Sequence, residues 1–170
     1  RRWILDGCKD ELLNYTYVSD FVKRVVDGKE DFGLISKPKY DLNDRGPLRE
    51  IGASQFKASV IESTDSVLVA FTTSWCYHCK KLKPVLNATA KLLENTTNKF
   101  YFFDCESNDM PSCVPEIDGY PALFFWSGNK SEPIEFEDSR NIPTLIEFIK
   151  NHTKVDFIVP EYNETEIVNM

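Results

Sequence analysis

The feature that most constrains this chain is a junction. Residues 67–72 form a nearly unbroken apolar run of strand length, which predicts a β-strand covered on both faces. After three intervening residues, Cys76-Tyr77-His78-Cys79 opens a helical pattern that runs to about Glu94, with Leu82, Val85, Leu86, Thr89, Leu92 and Leu93 on one side. A buried strand that feeds directly into a long amphipathic helix needs other elements to cover it, and this leads to a layered α/β domain. Pro84 lies inside the helical pattern and is expected to kink it near the second turn, because it lacks a backbone donor and crowds the turn before it.

The rest of the pattern supplies the partners. Residues 48–51 read as a short strand, and Ser54 as the cap of a helix carrying Phe56, Val60 and Ile61. Residues 99–104 read as another strand. Residues 121–127 and 133–137 pair across Gly128-Asn129-Lys130, a hairpin signal. Residues 141–151 close as a helix with Ile142, Leu145, Ile146 and Ile149 inward, and Pro143 is tolerable in its first turn. The order is βαβ, a third strand, a short irregular segment, then ββα, which predicts an α/β fold with a central mixed sheet flanked by helices on both faces.

Upstream, Val18, Phe21, Val22, Val25 and Val26 line one face of a helix stopped by Gly28. Residues 36–47 carry Lys-Pro, Asn-Asp and Gly-Pro steps without periodicity and read as a linker. The expected organisation is therefore 1–47 as the end of a preceding domain plus a connector, 48–156 as the main domain, and 157–170 as a polar tail. The longest apolar runs are five residues, against the ~20 that cross a bilayer, so no membrane span is expected. With 27 acidic against 20 basic residues the formal charge is −7, a sign that repels phosphate backbones and argues against a nucleic-acid partner.

The chemistry concentrates at the junction. Cys76 falls at a helix N-terminus, where unpaired N–H groups and the positive dipole end stabilise a thiolate. Cys79 lies one turn on, within reach of a mixed disulfide formed at Cys76, and His78 between them adds a potential cationic or donor group. The pattern reads as a dithiol that trades disulfides. A zinc site would have to recruit Cys105 and Cys113, whose seven-residue gap is not a knuckle spacing, and a structural Cys76–Cys79 bridge is the other alternative.

The segment Trp75-Cys76-Tyr77-His78-Cys79-Lys80-Lys81-Leu82-Lys83-Pro84 resembles the active site of the protein disulfide isomerase family, whose catalytic domains are thioredoxin folds. Asp118-Gly119-Tyr120-Pro121 is similar to the family's cis-proline loop, which presents backbone to an extended client, and Ser139-Arg140 to the segment bearing a mobile Arg that tunes the second cysteine. The resemblance covers about residues 48–156, and Phe21 to Lys29 with Gly46-Pro47 resembles the end of a non-catalytic thioredoxin domain and its connector into the second catalytic one.

The resemblance implies a thiol-disulfide oxidoreductase and isomerase in which Cys76 forms the mixed disulfide, Cys79 resolves it, His78 stabilises the thiolate and Arg140 modulates Cys79. Trp75, Tyr77, Tyr120 and Pro121 would then contact the client. No cofactor or metal is implied; the dithiol would exchange with unfolded or misoxidised client proteins, with glutathione, or with a partner oxidase of the endoplasmic reticulum. The departures are specific. Tyr77 stands where the family usually has Gly, Ala70 where many members bury a Glu, and Phe102 near the place of that Glu's Lys partner. Loss of both partners together is coherent, since one alone would be an uncompensated buried charge. It predicts slow resolution by Cys79 unless water or Arg140 compensates. A client-binding or chaperone module with residual redox activity, or a dedicated reductase or oxidase, are the alternatives.

Compartment is read from glycosylation triplets at Asn14, Asn87, Asn95, Asn129, Asn151 and Asn163. With 11 Asn and 22 Ser+Thr, chance gives about 1.4 such triplets, so six favour a protein of the secretory pathway, and the resemblance points to the endoplasmic reticulum lumen. In that oxidising setting Cys105 and Cys113 are expected to form a structural bridge, two buried thiols being the alternative, while Cys8 is expected to stay unpaired.

Overall fold

The computed structural model describes residues 15–29, 36, 46–128, 132–163 and 167, with backbone only for Tyr17; Cys8, Asn14 and Asn129 lie outside the described residues. The chain divides into two compact units, residues 1–35 and 36–170. In the first, helix α1 (Tyr15–Val26) forms where the apolar periodicity predicts one. It ends as expected at Gly28, whose φ of 68° is the left-handed conformation glycine tolerates. The Lys29 N–H reaches the Arg24 carbonyl at 2.8 Å and the Gly28 N–H that of Val25 at 3.1 Å, which closes the last turn.

The second unit begins earlier than the expected boundary at residue 48. Ser36 belongs to it: its Oγ accepts from the Ser54 N–H at 3.1 Å. Strand β1 (Leu48–Glu50) is followed by a helical segment, α2 (Ala53–Phe56), that continues as π-helical turns over Lys57–Ile61. Here the cap differs from expectation. Gly52, not Ser54, precedes the helix, and the first donors are met from outside: the Ala53 N–H by Asn108 Oδ1 at 3.1 Å and the Ser54 N–H by Ser36. Two distant side chains thus do the work that one local hydroxyl was expected to do.

Then come β2 (Ser66–Thr72), α3 (Tyr77–Leu92), β3 (Asn98–Asp104), β4 (Ala122–Trp126), β5 (Ile134–Glu135) and α4 (Ile142–His152). The sheet order is β1-β3-β2-β4-β5. The first three strands are parallel, β4 runs antiparallel beside β2, and β5 runs antiparallel beside β4.

Strand β2 sits in the middle, and its unbroken apolar run is explained by its two faces. Leu68 and Ala70 point to a cluster built with Leu82, Leu86, Leu145 and Ile149 of α3 and α4. Val67, Val69 and Phe71 point to the opposite cluster with Phe56 of α2, Val60 of the π-helical turns that follow it, Phe103 and Trp126. The period of two that normally separates core from solvent here separates one core from another. Phe56 anchors the second cluster, its ring edge-on to Phe103 at 5.9 Å and to Trp126 at 5.6 Å. Such pairs add roughly 0.5–1.5 kcal/mol each beyond the area they bury.

The expected polar tail over 157–170 is not one throughout. Phe157, Val159, Tyr162 and Ile167 pack against Ala88, Ile142 and Ile146, while Ile158 is 91% exposed. Phe157 and Val159 alternate with Ile158, a two-residue period typical of an extended segment lying on the helices.

Candidate functional site

The site grows out of the junction between β2 and α3. Cys76 is the N-cap of α3, in extended conformation, and its Sγ accepts from the Cys79 N–H at 3.1 Å. The helix thus turns one of its unpaired amide donors onto the sulfur. Cys76 and Cys79 are disulfide-bonded, with Cα atoms 5.2 Å apart, and each residue is 5% exposed. The loop before them is fixed from two sides. The Cys76 N–H reaches the Thr73 carbonyl at 3.3 Å, and the Ser74 N–H donates to Glu106 Oε2 at 2.7 Å. Sequence reading had not singled out Glu106, because its partner is a backbone amide 32 residues away.

Several of the predicted residues converge around this pair. Trp75 and Tyr77 are 68% and 63% exposed. The Trp75 ring meets Tyr120 edge-on at 6.1 Å, and the Tyr120–Pro121 peptide bond is cis. Arg140 Nη2 donates to the Pro121 carbonyl at 2.8 Å, so in this structure the guanidinium secures the cis-proline loop. The ring of exposed His78 lies 5.8 Å from that of Tyr77, and Lys81 Nζ sits over the Tyr77 ring at 4.6 Å. The surface around the dithiol is therefore aromatic, with cations at its edge.

Beneath Cys79 the sheet carries no charge at the two positions noted above. Ala70 is fully buried and pairs in register with Phe102 on β3. Lys83 Nζ lies over the Phe102 ring at 4.2 Å. The next residue in that row is Glu50 on β1, in register with Phe102. A cavity of about 340 Å³ opens here, lined by Cys79, Thr73, Phe102, Glu50 and Asp104 among others. Nothing in the sequence marked Thr73 or Glu50, since the cavity is assembled from three strands and a helix.

The expected Cys105–Cys113 bridge is corrected by the structure, where both are free thiols. Cys105 is held instead at the end of β3. Its N–H donates to the Thr72 carbonyl at 2.9 Å and its thiol to the Phe103 carbonyl at 3.9 Å. Burial pushes this thiol up to about 11, and a hydrogen bond from Tyr120 pulls it back only in part. Cys113 is exposed. Of the glycosylation triplets, Asn87, Asn95, Asn151 and Asn163 are all exposed. Among the described residues no three His, Cys, Asp or Glu side chains converge as a metal-holding set, and no helix is long and apolar enough to cross a membrane.

Comparison with known proteins matches residues 48–151 to the thioredoxin family. The chain is 33% identical over 136 residues to protein disulfide-isomerase A4 of Bos taurus, covering 78% of this chain and 21% of that protein. It is 32% identical over 162 residues to protein disulfide-isomerase of Aspergillus niger, covering 91% of this chain and 31% of the relative. The chain thus spans only a fifth to a third of the length of these curated relatives. Among solved structures, the first thioredoxin domain of mouse protein disulfide-isomerase A4 superposes with a TM-score of 0.55 at 22% identity, over 65% of this chain and 79% of that one. The J-Trx1 fragment of ERdj5 gives 0.55 at 21%, over 62% and 51%. Both likenesses are of fold.

Proposed function

Since the chain belongs to the thioredoxin family, with protein disulfide-isomerases as its relatives, we propose that its Cys76–Cys79 pair forms, breaks and rearranges disulfides in client proteins of the secretory pathway. The observation that carries this reading is the position of the pair: a disulfide at the N-terminus of α3, with Trp75, Tyr120 and the cis Pro121 beside it. In the reduced state the helix end favours the Cys76 thiolate, which attacks a client disulfide. The client sulfur then bonded to Cys76 is displaced when Cys79, one turn on, closes the pair again. Exposed Trp75 and Tyr77 offer apolar rings to an unfolded segment, and Arg140 holds the loop whose backbone would face it. His78 adds a donor beside the sulfurs.

The endoplasmic reticulum lumen is the proposed location, supported by the glycosylation triplets and by the relatives' names. Glutathione or a partner oxidase would reset the dithiol. One observation favours a second reading, a client-holding module with weak redox activity: Ala70 and Phe102 leave no carboxylate directly beneath Cys79. Refolding of a substrate with scrambled disulfides separates the two. The exchange reading predicts a rate that falls at least hundredfold in Cys76→Ser. A rate unchanged by that substitution leaves only the holding role.

A further inference from the structure

Tyr77 opens α3 directly after Cys76, and Lys81 stands one helical turn on, the spacing that brings two side chains onto one face. They meet there: Lys81 Nζ lies over the Tyr77 ring, 4.6 Å from its centroid, and the His78 ring stands edge-on to it at 5.8 Å. On the other side of Cys76, the Trp75 ring is held edge-on by Tyr120 at 6.1 Å. The two residues that flank the attacking sulfur in sequence therefore both carry exposed rings, and each ring is fixed by a neighbour. A ring already held in place gives up little rotamer freedom when a ligand packs on it. Charge is distributed unevenly around this mouth. Lys81 is exposed, and among the described residues no carboxylate lies within ion-pair distance of it. Its ammonium spends one direction on the Tyr77 ring and keeps its other donors for solvent or a ligand. The carboxylates belong to the Trp75 side: Glu106 accepts from the Ser74 N–H at 2.7 Å, and exposed Asp118 stands two residues before Tyr120. In a chain of net charge −7, a free cation one turn from the dithiol is a local feature that composition does not supply.

We infer that Tyr77 and Lys81 act together as the specificity determinant of the exchange site, selecting client segments that carry an aromatic residue beside the reacting cysteine and a carboxylate next to that aromatic; the inference deepens the exchange reading above and rests on it. The client aromatic packs on the exposed part of the Tyr77 ring, and the adjacent carboxylate reaches the Lys81 ammonium. Neither contact is strong alone, since both are exposed to water. Made together by neighbouring client residues, they fix which way the segment crosses the dithiol: its acidic flank over the start of α3, its other flank toward Trp75 and the cis-proline loop, where Asp118 disfavours a second carboxylate. A basic residue in the α3 flank meets Lys81 as a like charge and is disfavoured.

The test uses the reduced full chain and a set of acetylated, amidated peptide disulfides, each a symmetric dimer of a short peptide with a single cysteine. The dithiol gives two electrons to the peptide disulfide, so that each reaction yields the Cys76–Cys79 disulfide and two peptide thiols. One flank of the cysteine is Gly; the other begins with Phe or Ala and continues with Asp or Lys, and both orientations are made. Each rate constant is divided by that of dithiothreitol with the same peptide, which removes differences in the reactivity of the disulfide itself. At low salt, Phe is expected to raise this ratio about fivefold over Ala. In the orientation that lays the variable flank over α3, Asp should raise it about fivefold over Lys, and about 0.5 M sodium chloride should bring the two within twofold. In that orientation Lys81→Glu should reverse the order of Asp and Lys and Lys81→Arg keep it, while Tyr77→Gly should at least halve the preference for Phe and Tyr77→Phe retain it. The inference is overturned if Asp and Lys peptides stay within twofold of each other in both orientations, if Lys81→Glu leaves their order unchanged, or if Tyr77→Gly leaves the preference for Phe intact. A chain that exchanges with none of the peptides overturns the exchange reading, and this inference with it. Exchange at one normalised rate with all of them overturns this inference alone.

Discussion

Cys76 and Cys105 follow neighbouring strands, β2 and β3, and yet their chemistry diverges. Past β2 the chain turns into a sixteen-residue helix, and the Cys79 N–H at its start faces the Cys76 sulfur. Past β3 it enters an irregular turn built by Asp104, Glu106 and Ser107, and the Cys105 thiol donates back to the Phe103 carbonyl. One sulfur faces donors that favour its anion; the other faces an acceptor and is desolvated, so that its thiol is held up at about 11. The element that receives the chain after the strand, more than the cysteine itself, sets reactivity.

Alkylation offers the largest contrast. In the reduced chain, iodoacetamide labelling mapped by mass spectrometry at pH 8 should modify Cys76 first. Cys105, raised from 9.0 to about 11, should react about a hundredfold more slowly than an ordinary thiol, because two pH units remove that much thiolate. Equal labelling of the two would break the comparison.

The same raised thiol makes a statement about stability. A group whose folded-state value exceeds its unfolded one stabilises the fold fully below the unfolded value, near pH 9, and that stability is lost as pH rises through about 11. The urea midpoint of the parent should therefore fall more steeply between pH 9 and 11 than that of Cys105→Ala. Parallel declines would show that Cys105 is not buried as described. The smallest effect is expected from Tyr120→Phe. It removes the hydroxyl that lowers Cys105, so Cys105 labelling should slow a further few-fold, about threefold; faster labelling would contradict the hydrogen bond.

The parts of the molecule legible in the sequence are those governed by local rules. The apolar run of β2, the apolar periodicity of α3 and α4, and the hairpin of β4 and β5 all follow from residues near in sequence. Cys76 and Cys79 stood out for the same reason, since a thiol pair one turn apart at a helix start carries its chemistry in its spacing. What escaped was assembled across distance. Asn108 and Ser36 meet the donors of α2 in place of Ser54, and neither has a signal near residue 54. Cys105 and Cys113 looked like a pair by count and compartment, but spacing says nothing of the direction in which a thiol points; Cys105 turns to the Phe103 carbonyl and to Tyr120. The cavity beneath Cys79 depends on register between β1, β3 and β2, which single-sequence patterns do not fix. Phe157 and Val159 were hidden in a segment whose composition is polar, where two-residue alternation is too short to stand out.

Trapping a client tests the central claim most directly. With Cys79→Ser, a mixed disulfide formed at Cys76 has no resolving thiol and should accumulate when the chain is mixed with a reduced, unfolded substrate and a mild oxidant. Peptide mapping of the trapped species should find the client on Cys76 and neither on Cys105 nor on Cys113. Clients on Cys105 or Cys113 to the same extent as on Cys76 would contradict the assignment of the exchange chemistry to the start of α3.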